Sequence, residues 1–332
     1  MAAKRIRKPF TREDELELGQ TVEEGVSTVN GASNTHAAQE QETDIPTQAA
    51  PHGLSSFLKN PPEIVVRIAT GAIYILLTVV CVWASNVTTA LYLAVLCAIC
   101  ANEFYYMLRS DAKLPNEFLG VVAAALFPLA AWLFGVDGII IVLILFILAL
   151  LIWYVFWQPA RISDVAISLF GAVYTGLIMS TALSMRMALP EPWGAVLLLV
   201  LFGGVWGNDA VAYVVGSAIG KHKMAPRISP KKSWEGFIAG LCFSVFCWWV
   251  LSQIPGVTMP VYLAIIFGVI NGVSGVLGDL VESRIKRNSG FKDSGTIMPG
   301  HGGLLDRCDS QFLVTLTGAA MLIGGGCIPF VF

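Results

Sequence analysis

"GIIIVLILFILALLIWYVFW", Gly138 to Trp157, runs twenty residues without a charge. About 20 apolar residues are what a helix needs to cross a bilayer core of roughly 30 Å, so the stretch reads as a membrane span. Outward from it the same texture recurs at about 64–84, 87–108, 117–134, 163–186, 193–219, 235–253, 258–281 and 309–331. Of the 332 residues only 13% are charged, against about a quarter in soluble domains. The expected fold class is all-α: a polytopic integral membrane protein with about nine transmembrane helices and the lipid bilayer as its solvent.

Residues 1–60 have a different composition. "TREDELELGQTVEEGVSTVNGASNTHAAQEQETDIPTQAAPHG", Thr11 to Gly53, is acidic and polar. It holds too little apolar surface to offset the entropy of ordering. A disordered cytoplasmic tail is expected over 1–60, followed by a transmembrane domain over 61–332. The basic opening "MAAKRIRKPF" leads into no apolar segment, so no signal peptide is expected. Most of the seven cysteines sit in apolar runs, where thiols behave as small hydrophobes. Cys97-x-x-Cys100 has no companion pair and is read the same way.

Orientation follows from the short loops. Arg109 and Lys113, Arg161, "GKHKMAPRISPKK" and "SRIKRNSGFKDSG" follow the even-numbered runs, whereas the odd-numbered loops carry little beyond Arg186. Lys and Arg accumulate on the cytoplasmic side, which places those loops and the N-terminus there.

Some polar residues are misplaced for a lipid-facing surface. Asn208-Asp209 falls inside the run 193–219 among Gly203, Gly204, Gly207 and Gly216. Intramembrane acids are costly and usually mark a site, while dense glycines permit close helix approach or a break. Glu103 and Arg67 are weaker signals of the same kind. "GVLGDLVESRIKR" places Asp279 and Glu282 three residues apart, on one helical face, and "LLDRCDS" repeats the spacing with Asp306 and Asp309. A solvated loop with one acid as a helix cap explains one carboxylate but not four. Crowded carboxylates repel unless a cation compensates, and hard oxygen ligands suit Mg2+ beside substrate phosphates. Basic residues surround them: Lys221, Lys223, Arg227, Lys231 and Lys232 in one loop, and Arg284, Lys286, Arg287, Lys292 and Arg307 about the acids. Gly300-His301-Gly302-Gly303 precedes a helix start, where free backbone N–H groups are expected to hold an anion. The equipment suits a polyphosphate at a membrane surface, with a lipid as the other reactant.

"SRIKRNSGFKDSGTIMPGHGGLLDRCDS", Ser283 to Ser310, closely resembles the signature of phosphatidate cytidylyltransferases: S-x-x-K-R-x4-K-D-x-G/S/A, then P-G-H-G-G, then D-R-x-D. "GKHKMAPRISPKKSWEG", Gly220 to Gly236, resembles a second block of that family. The resemblance covers residue 61 to the end. It implies a polytopic, typically dimeric enzyme that transfers CMP from CTP to phosphatidic acid, releasing pyrophosphate. It implies Mg2+, with K+ as a second cation, and Asp279, Asp306 and Asp309 as metal ligands. It assigns Lys292, Asp293, His301 and Arg307 to the reactive centre. Substrate binding falls to Asp209, Lys221, Ser229, Lys231 and Lys232, with Ser283, Lys286, Arg287, Gly302 and Gly303 beside them. The chain departs from the family pattern at Asp209-Ala-Val-Ala-Tyr213, where Asp-Thr-Gly-Ala-Tyr is common, and at Ser217, where a basic residue is common.

The reaction expected is in-line attack of the lipid phosphate on the α-phosphorus of CTP. Such transfers are catalysed mainly by positioning and charge neutralisation. The lipid phosphate is already anionic, so His301 is expected to bind phosphate or organise its loop rather than act as a base. A lateral opening near Asn208 and Asp209 would admit the headgroup. No nucleic-acid partner is expected, and a bacterial plasma membrane is the expected location. The alternatives are a CTP-dependent lipid kinase, which would release CDP, and a transporter. A transporter would mass its polar residues near the midplane rather than at one face.

Overall fold

The nine apolar runs become eight helices, in the order α1 (Glu63–Ala84), α2 (Asn86–Leu108), α3 (Glu117–Phe156), α4 (Ile162–Met187), α5 (Trp193–Ile219), α6 (Trp234–Leu251), α7 (Val261–Asn288) and α8 (Leu305–Gly324). A short antiparallel ribbon, β1 (Lys223–Ala225) with β2 (Ser229–Ser233), separates α5 from α6. This computed structural model describes residues 63–109, 113–225, 229–299 and 302–329, apart from the side chains of 63, 64, 230 and 231. The expected tail, His301, Arg227 and the Lys231 side chain lie outside the described residues. Among the described residues, seven helices are long and apolar enough to cross a membrane, α1 to α7. Their bare faces carry Phe118, Val155 and Phe156, each more than two-thirds exposed. That is unfavourable in water and ordinary against hydrocarbon.

The helices differ from the expected runs at three places: α7 continues to Asn288, α8 ends at Gly324 and is not among the seven, and two runs merge. The runs 117–134 and 138–157 form a single element, α3, of 40 residues, broken at Gly135 with φ 60° and ψ −139°. At 1.5 Å per residue a straight helix of that length would reach about 60 Å, twice the bilayer core. The chain instead turns back. A Cβ on Gly138 would lie 2.3 Å from the Ala130 carbonyl oxygen. The segments flanking α3 meet, because Leu114 N donates to Asp164 Oδ1 at 3.0 Å and Asn116 N to Ser168 Oγ at 2.7 Å. Only glycine adopts the conformation at 135 without strain, which is why the reversal needs no loop.

α4 widens to a π-turn at Val173–Leu177, which presents Tyr174 to Phe312 of α8 with ring centroids 4.8 Å apart. The glycine-dense helix α5 is unbroken, so of the two expectations close approach holds and a break does not. Gly207, Gly236 and Gly240 form its seam with α6. A Cβ on Gly236 would lie 2.4 Å from Ala212 O, and one on Gly240 2.5 Å from Asn208 Oδ1. Buried Asn271 ties three helices: its Oδ1 accepts from Trp248 Nε1 at 3.1 Å and its Nδ2 donates to Val314 O at 3.0 Å. This locks α6, α7 and α8 behind the charged end of the bundle.

Candidate active site

The ribbon is pinned where its sequence turns small and polar. Ser233 sits between Gly216, Gly220 and Gly236, and its Oγ accepts from Gly236 N at 3.3 Å, capping α6. His222 Nδ1 lies 2.7 Å from Glu235 Oε1, and Trp234 N donates to His222 O at 2.9 Å. Lys232 forms an ion pair with Asp279, joining the ribbon to α7. Between ribbon and helices opens a cleft of about 740 Å³, within the range of small-molecule sites. Lys223, Ser229 and Lys232 line one side of it, and Asp279, Arg307 and Asp309 the other. Its outer wall is Asp209 and Tyr213 of α5, both exposed, the tyrosine by 73%.

On the inner wall, carboxylate oxygens of Asp279, Glu282 and Asp309 lie within 4.8 Å of one another. Helical spacing places Asp279 beside Glu282 on α7, and α8 brings Asp309 up to them. Close packing makes this possible: a Cβ on Gly278 would lie 2.6 Å from the Asp309 carbonyl oxygen. Ser283 Oγ donates to Asp279 Oδ1 at 3.3 Å. Glu282 is fully buried, and neither of its carboxylate oxygens completes a hydrogen bond. Buried Lys286 lies against it as an ion pair and reaches Asp306 Oδ1 at 2.5 Å. Asp279, Glu282, Asp306 and Asp309 thus face two ammonium groups, Lys232 and Lys286. The surplus negative charge at so short a range, with a fully buried carboxylate among its members, fits a hard divalent cation. Asp279, Glu282 and Asp309 have the separation and donor type to hold one. Asp306 is engaged elsewhere, by Lys286 and by two backbone amides.

Those amides belong to the loop before α8. Gly302, at φ 88°, closes a tight turn in which Met298 and Gly302 exchange backbone hydrogen bonds of 2.9 and 3.1 Å. Asp306 Oδ2 accepts from Ser294 N and Gly303 N, both at 2.9 Å. Leu304 N and Leu305 N donate to Glu103 of α2, at 3.1 and 2.8 Å. Of the glycine run's amides among the described residues, Gly302 N is therefore taken by Met298 O and Gly303 N by Asp306. In this loop Gly302 supplies a positive-φ turn, and Gly303 makes room. A Cβ on Gly303 would lie 2.0 Å from Ser294 Oγ and 2.5 Å from Glu103 Oε2.

Residues 65–323 match the model of the Cytidylyltransferase family. The chain belongs to that family. Over 252 residues this cytidylyltransferase is 33% identical to Phosphatidate cytidylyltransferase 5, chloroplastic, of Arabidopsis thaliana, covering 67% of this chain and 62% of that one. It is 39% identical over 151 residues to Phosphatidate cytidylyltransferase of Staphylococcus epidermidis, covering 46% and 56%. It is 30% identical over 252 residues to Phosphatidate cytidylyltransferase of Bacillus subtilis, covering 66% and 93%. The alignments thus span less than two thirds of the first two relatives' own lengths.

In this cytidylyltransferase the cleft gathers Asp209, Ser229, Lys232, Asp279, Asp306, Arg307 and Asp309 from four separate segments. Other expected site residues stand apart from its lining. Lys221, Lys292 and Asp293 are exposed, and Arg287 Nη1 donates to Phe291 O at 3.1 Å, closing the turn after α7. Ser283 and Lys286 are buried behind the acids, and Gly302 and Gly303 shape the loop. Glu282 and Glu103 are not among the expected site residues. Spacing from Asp279 points to the first, whereas the second shows only as an intramembrane acid, and its partners lie on a segment some 200 positions away.

Proposed function

We propose that the chain transfers CMP from CTP to phosphatidic acid, giving CDP-diacylglycerol and pyrophosphate in phospholipid synthesis. The observation that carries this reading is one cleft in which a carboxylate cluster on α7 and α8 faces the basic ribbon, joined across it by Lys232 and Asp279. The relatives' names point the same way.

A non-bridging oxygen of the lipid phosphate attacks the α-phosphorus of CTP. The new O–P bond forms as the bond to the β-phosphate breaks, and its electrons leave on pyrophosphate. Lys223, Lys232 and Arg307 lower the repulsion between two anions that must touch. Ser229, on the same wall, offers a hydroxyl to a phosphate oxygen. Lys221, Lys231 and Arg287 are proposed to add positive charge at the approach, and Lys292, Asp293 and His301 to serve the reactive centre, as the resemblance implies. No base is needed, because the nucleophile is already anionic.

Mg2+ is the proposed cofactor, held by Asp279, Glu282 and Asp309 with K+ as a second cation, and when bound it neutralises the triphosphate and the departing pyrophosphate. Lys286 and Asp306 keep that cluster in shape from behind. Exposed Asp209 and Tyr213 mark the side on which the headgroup enters while its acyl chains stay in lipid. The full arrangement proposed is nine crossings, with α3 crossing twice, in a homodimer of a bacterial plasma membrane with the cleft on the cytoplasmic side.

The test is transfer of label from α-phosphate-labelled CTP into phosphatidate liposomes carrying the purified protein. Labelled lipid formed with one pyrophosphate per transfer is expected. EDTA should abolish it, excess Mg2+ should restore it, and Asp309→Asn should lower it at least about a hundredfold. Release of CDP with phosphorylated lipid, or no labelled lipid from folded protein, overturns the assignment.

A further inference from the structure

We infer that Glu103, on α2 and outside the cleft lining, is a positioning residue that sets the start of α8. This rests on the proposed transfer reaction, because α8 brings Arg307 and Asp309 to the cleft. The residue before α8, Leu304, has helical backbone angles and no side chain able to cap the helix. Four amides at a helix start lack intrahelical partners, and burying them unpaired is costly. Here the cap comes from another helix. Glu103 is buried to 3% exposure, and its two carboxylate oxygens divide the work. Oε1 accepts from Leu304 N at 3.1 Å, and Oε2 from Leu305 N at 2.8 Å. Ser294 Oγ donates to Oε2 at 3.2 Å, so the same carboxylate also grips the loop leading into the helix.

The fit is tight on every side. A Cβ on Gly295 would lie 2.5 Å from Glu103 Oε1, and one on Gly303 2.5 Å from Oε2. Glu103 thus accounts for the lack of a side chain at Gly295, and together with Ser294 Oγ for that at Gly303. Charge also favours the arrangement, since a carboxylate at a helix N-terminus is stabilised by the helix dipole. Asp306 completes the set by taking Gly303 N and Ser294 N. Three successive amides, at 303, 304 and 305, are therefore fixed by two acids, only one of which lies near the cleft. One turn further along, Asp309 meets Asp279 and Glu282 within 4.8 Å. A shift of the helix start by an ångström would misplace Arg307 and Asp309 together.

The experiment compares wild type, Glu103→Gln and Glu103→Asp as full-length protein in liposomes, with Glu117→Gln as a control that removes a carboxylate from a surface pair with Arg109. CMP transfer is measured across CTP concentrations, and amide hydrogen exchange is followed for the peptide 303–312 and for the other helices. Glu103→Gln turns an NH2 group toward at least one donor amide. It is expected to lower kcat about a hundredfold with less than a threefold change in KM for CTP. Exchange at 303–312 should quicken at least tenfold while α5 to α7 keep their protection. Glu103→Asp keeps the charge but is one methylene short, so it should fall between, and the control should match wild type. Transfer within twofold of wild type in Glu103→Gln overturns the inference. So does lost transfer with unchanged exchange at 303–312, or exchange that quickens over every helix alike. A wild-type protein that transfers nothing overturns the proposed reaction, and the exchange comparison still decides whether Glu103 holds the helix start.

Discussion

Lys286 is the residue on which the buried charges turn. It is enclosed between Glu282, fully buried, and Asp306, with one ammonium serving two carboxylates. Removing one partner of a buried pair typically costs about 3–5 kcal/mol, because the charge left behind stays out of water. Lys286→Met is therefore expected to lower the unfolding temperature in detergent by several degrees and to reduce CMP transfer at least tenfold. Adding Glu282→Gln to it should recover part of the lost stability, since a neutral amide no longer needs the ammonium, without recovering transfer. A Lys286→Met protein as stable and active as wild type would sink the argument. The i,i+3 spacings make Asp279 with Glu282 and Asp306 with Asp309 readable as pairs from the sequence alone. What spacing does not reveal is how the four divide. Asp306 goes to an internal lysine and two amides, and Glu282 joins Asp279 and Asp309, a matter of distances between helices. Glu103 stands out in the sequence only as a costly intramembrane acid, because its partners are backbone amides, which no side-chain pattern announces.

Between α5 and α6 the glycines do the work that a loop reading would have given to a break. Gly240 faces Asn208, whose Oδ1 would be 2.5 Å and whose carbonyl oxygen 3.0 Å from a new Cβ. The second contact is backbone, so the helices must part to admit even a methyl group. Gly240→Ala is expected to cost about 1–3 kcal/mol by overpacking. Gly203 is the matched control: a Cβ there meets nothing within 4 Å. Alanine at that position should be neutral or stabilise by about 0.5–1 kcal/mol through lost freedom of the unfolded chain. Thermal unfolding of both variants in one detergent checks the pair, and equal stabilities would refute the packing account. Helix limits are largely legible, because lipid requires long apolar runs and α1, α2, α5 and α6 follow them closely. The break in α3 is legible as well, at 135–137, but its form is not. Only three residues, Gly135, Val136 and Asp137, separate the two expected runs, and a reversal that short depends on a positive-φ glycine, which the spacing does not announce.

At the scale of the whole molecule, the ribbon, the ends of α5 and α7 and the start of α8 meet around one cleft, so the two basic segments share one end of the bundle. In the proposed arrangement the Lys and Arg distribution puts that end in the cytoplasm, and the fold bears on the same proposal. Because the segments flanking α3 meet, the proposed arrangement returns the chain to the same membrane face after α3, with the bend near Gly135 on the other. If α3 crossed once, the basic loops before and after it would fall on opposite sides. Four exposed positions read this out: Lys221 and Arg287 at the cleft end, Asp137 just past the bend, and Gln253 between α6 and α7. Each is replaced singly by cysteine and treated with a membrane-impermeant maleimide, applied to intact cells and to inverted vesicles. Of the seven native thiols only Cys242 is exposed, and it lies within an apolar helix that a charged reagent does not enter, so background labelling should be low. Asp137→Cys and Gln253→Cys are expected to label in intact cells, and Lys221→Cys and Arg287→Cys only in inverted vesicles. Labelling of 221 and 287 from opposite sides would contradict the shared cleft. Labelling of 137 from the side of 221 would mean that α3 does not cross twice, and would reduce the crossing count accordingly. All four reversed together would leave the fold intact and turn the cleft outward, away from any cytoplasmic nucleotide, and the proposed use of CTP would then fail on access alone.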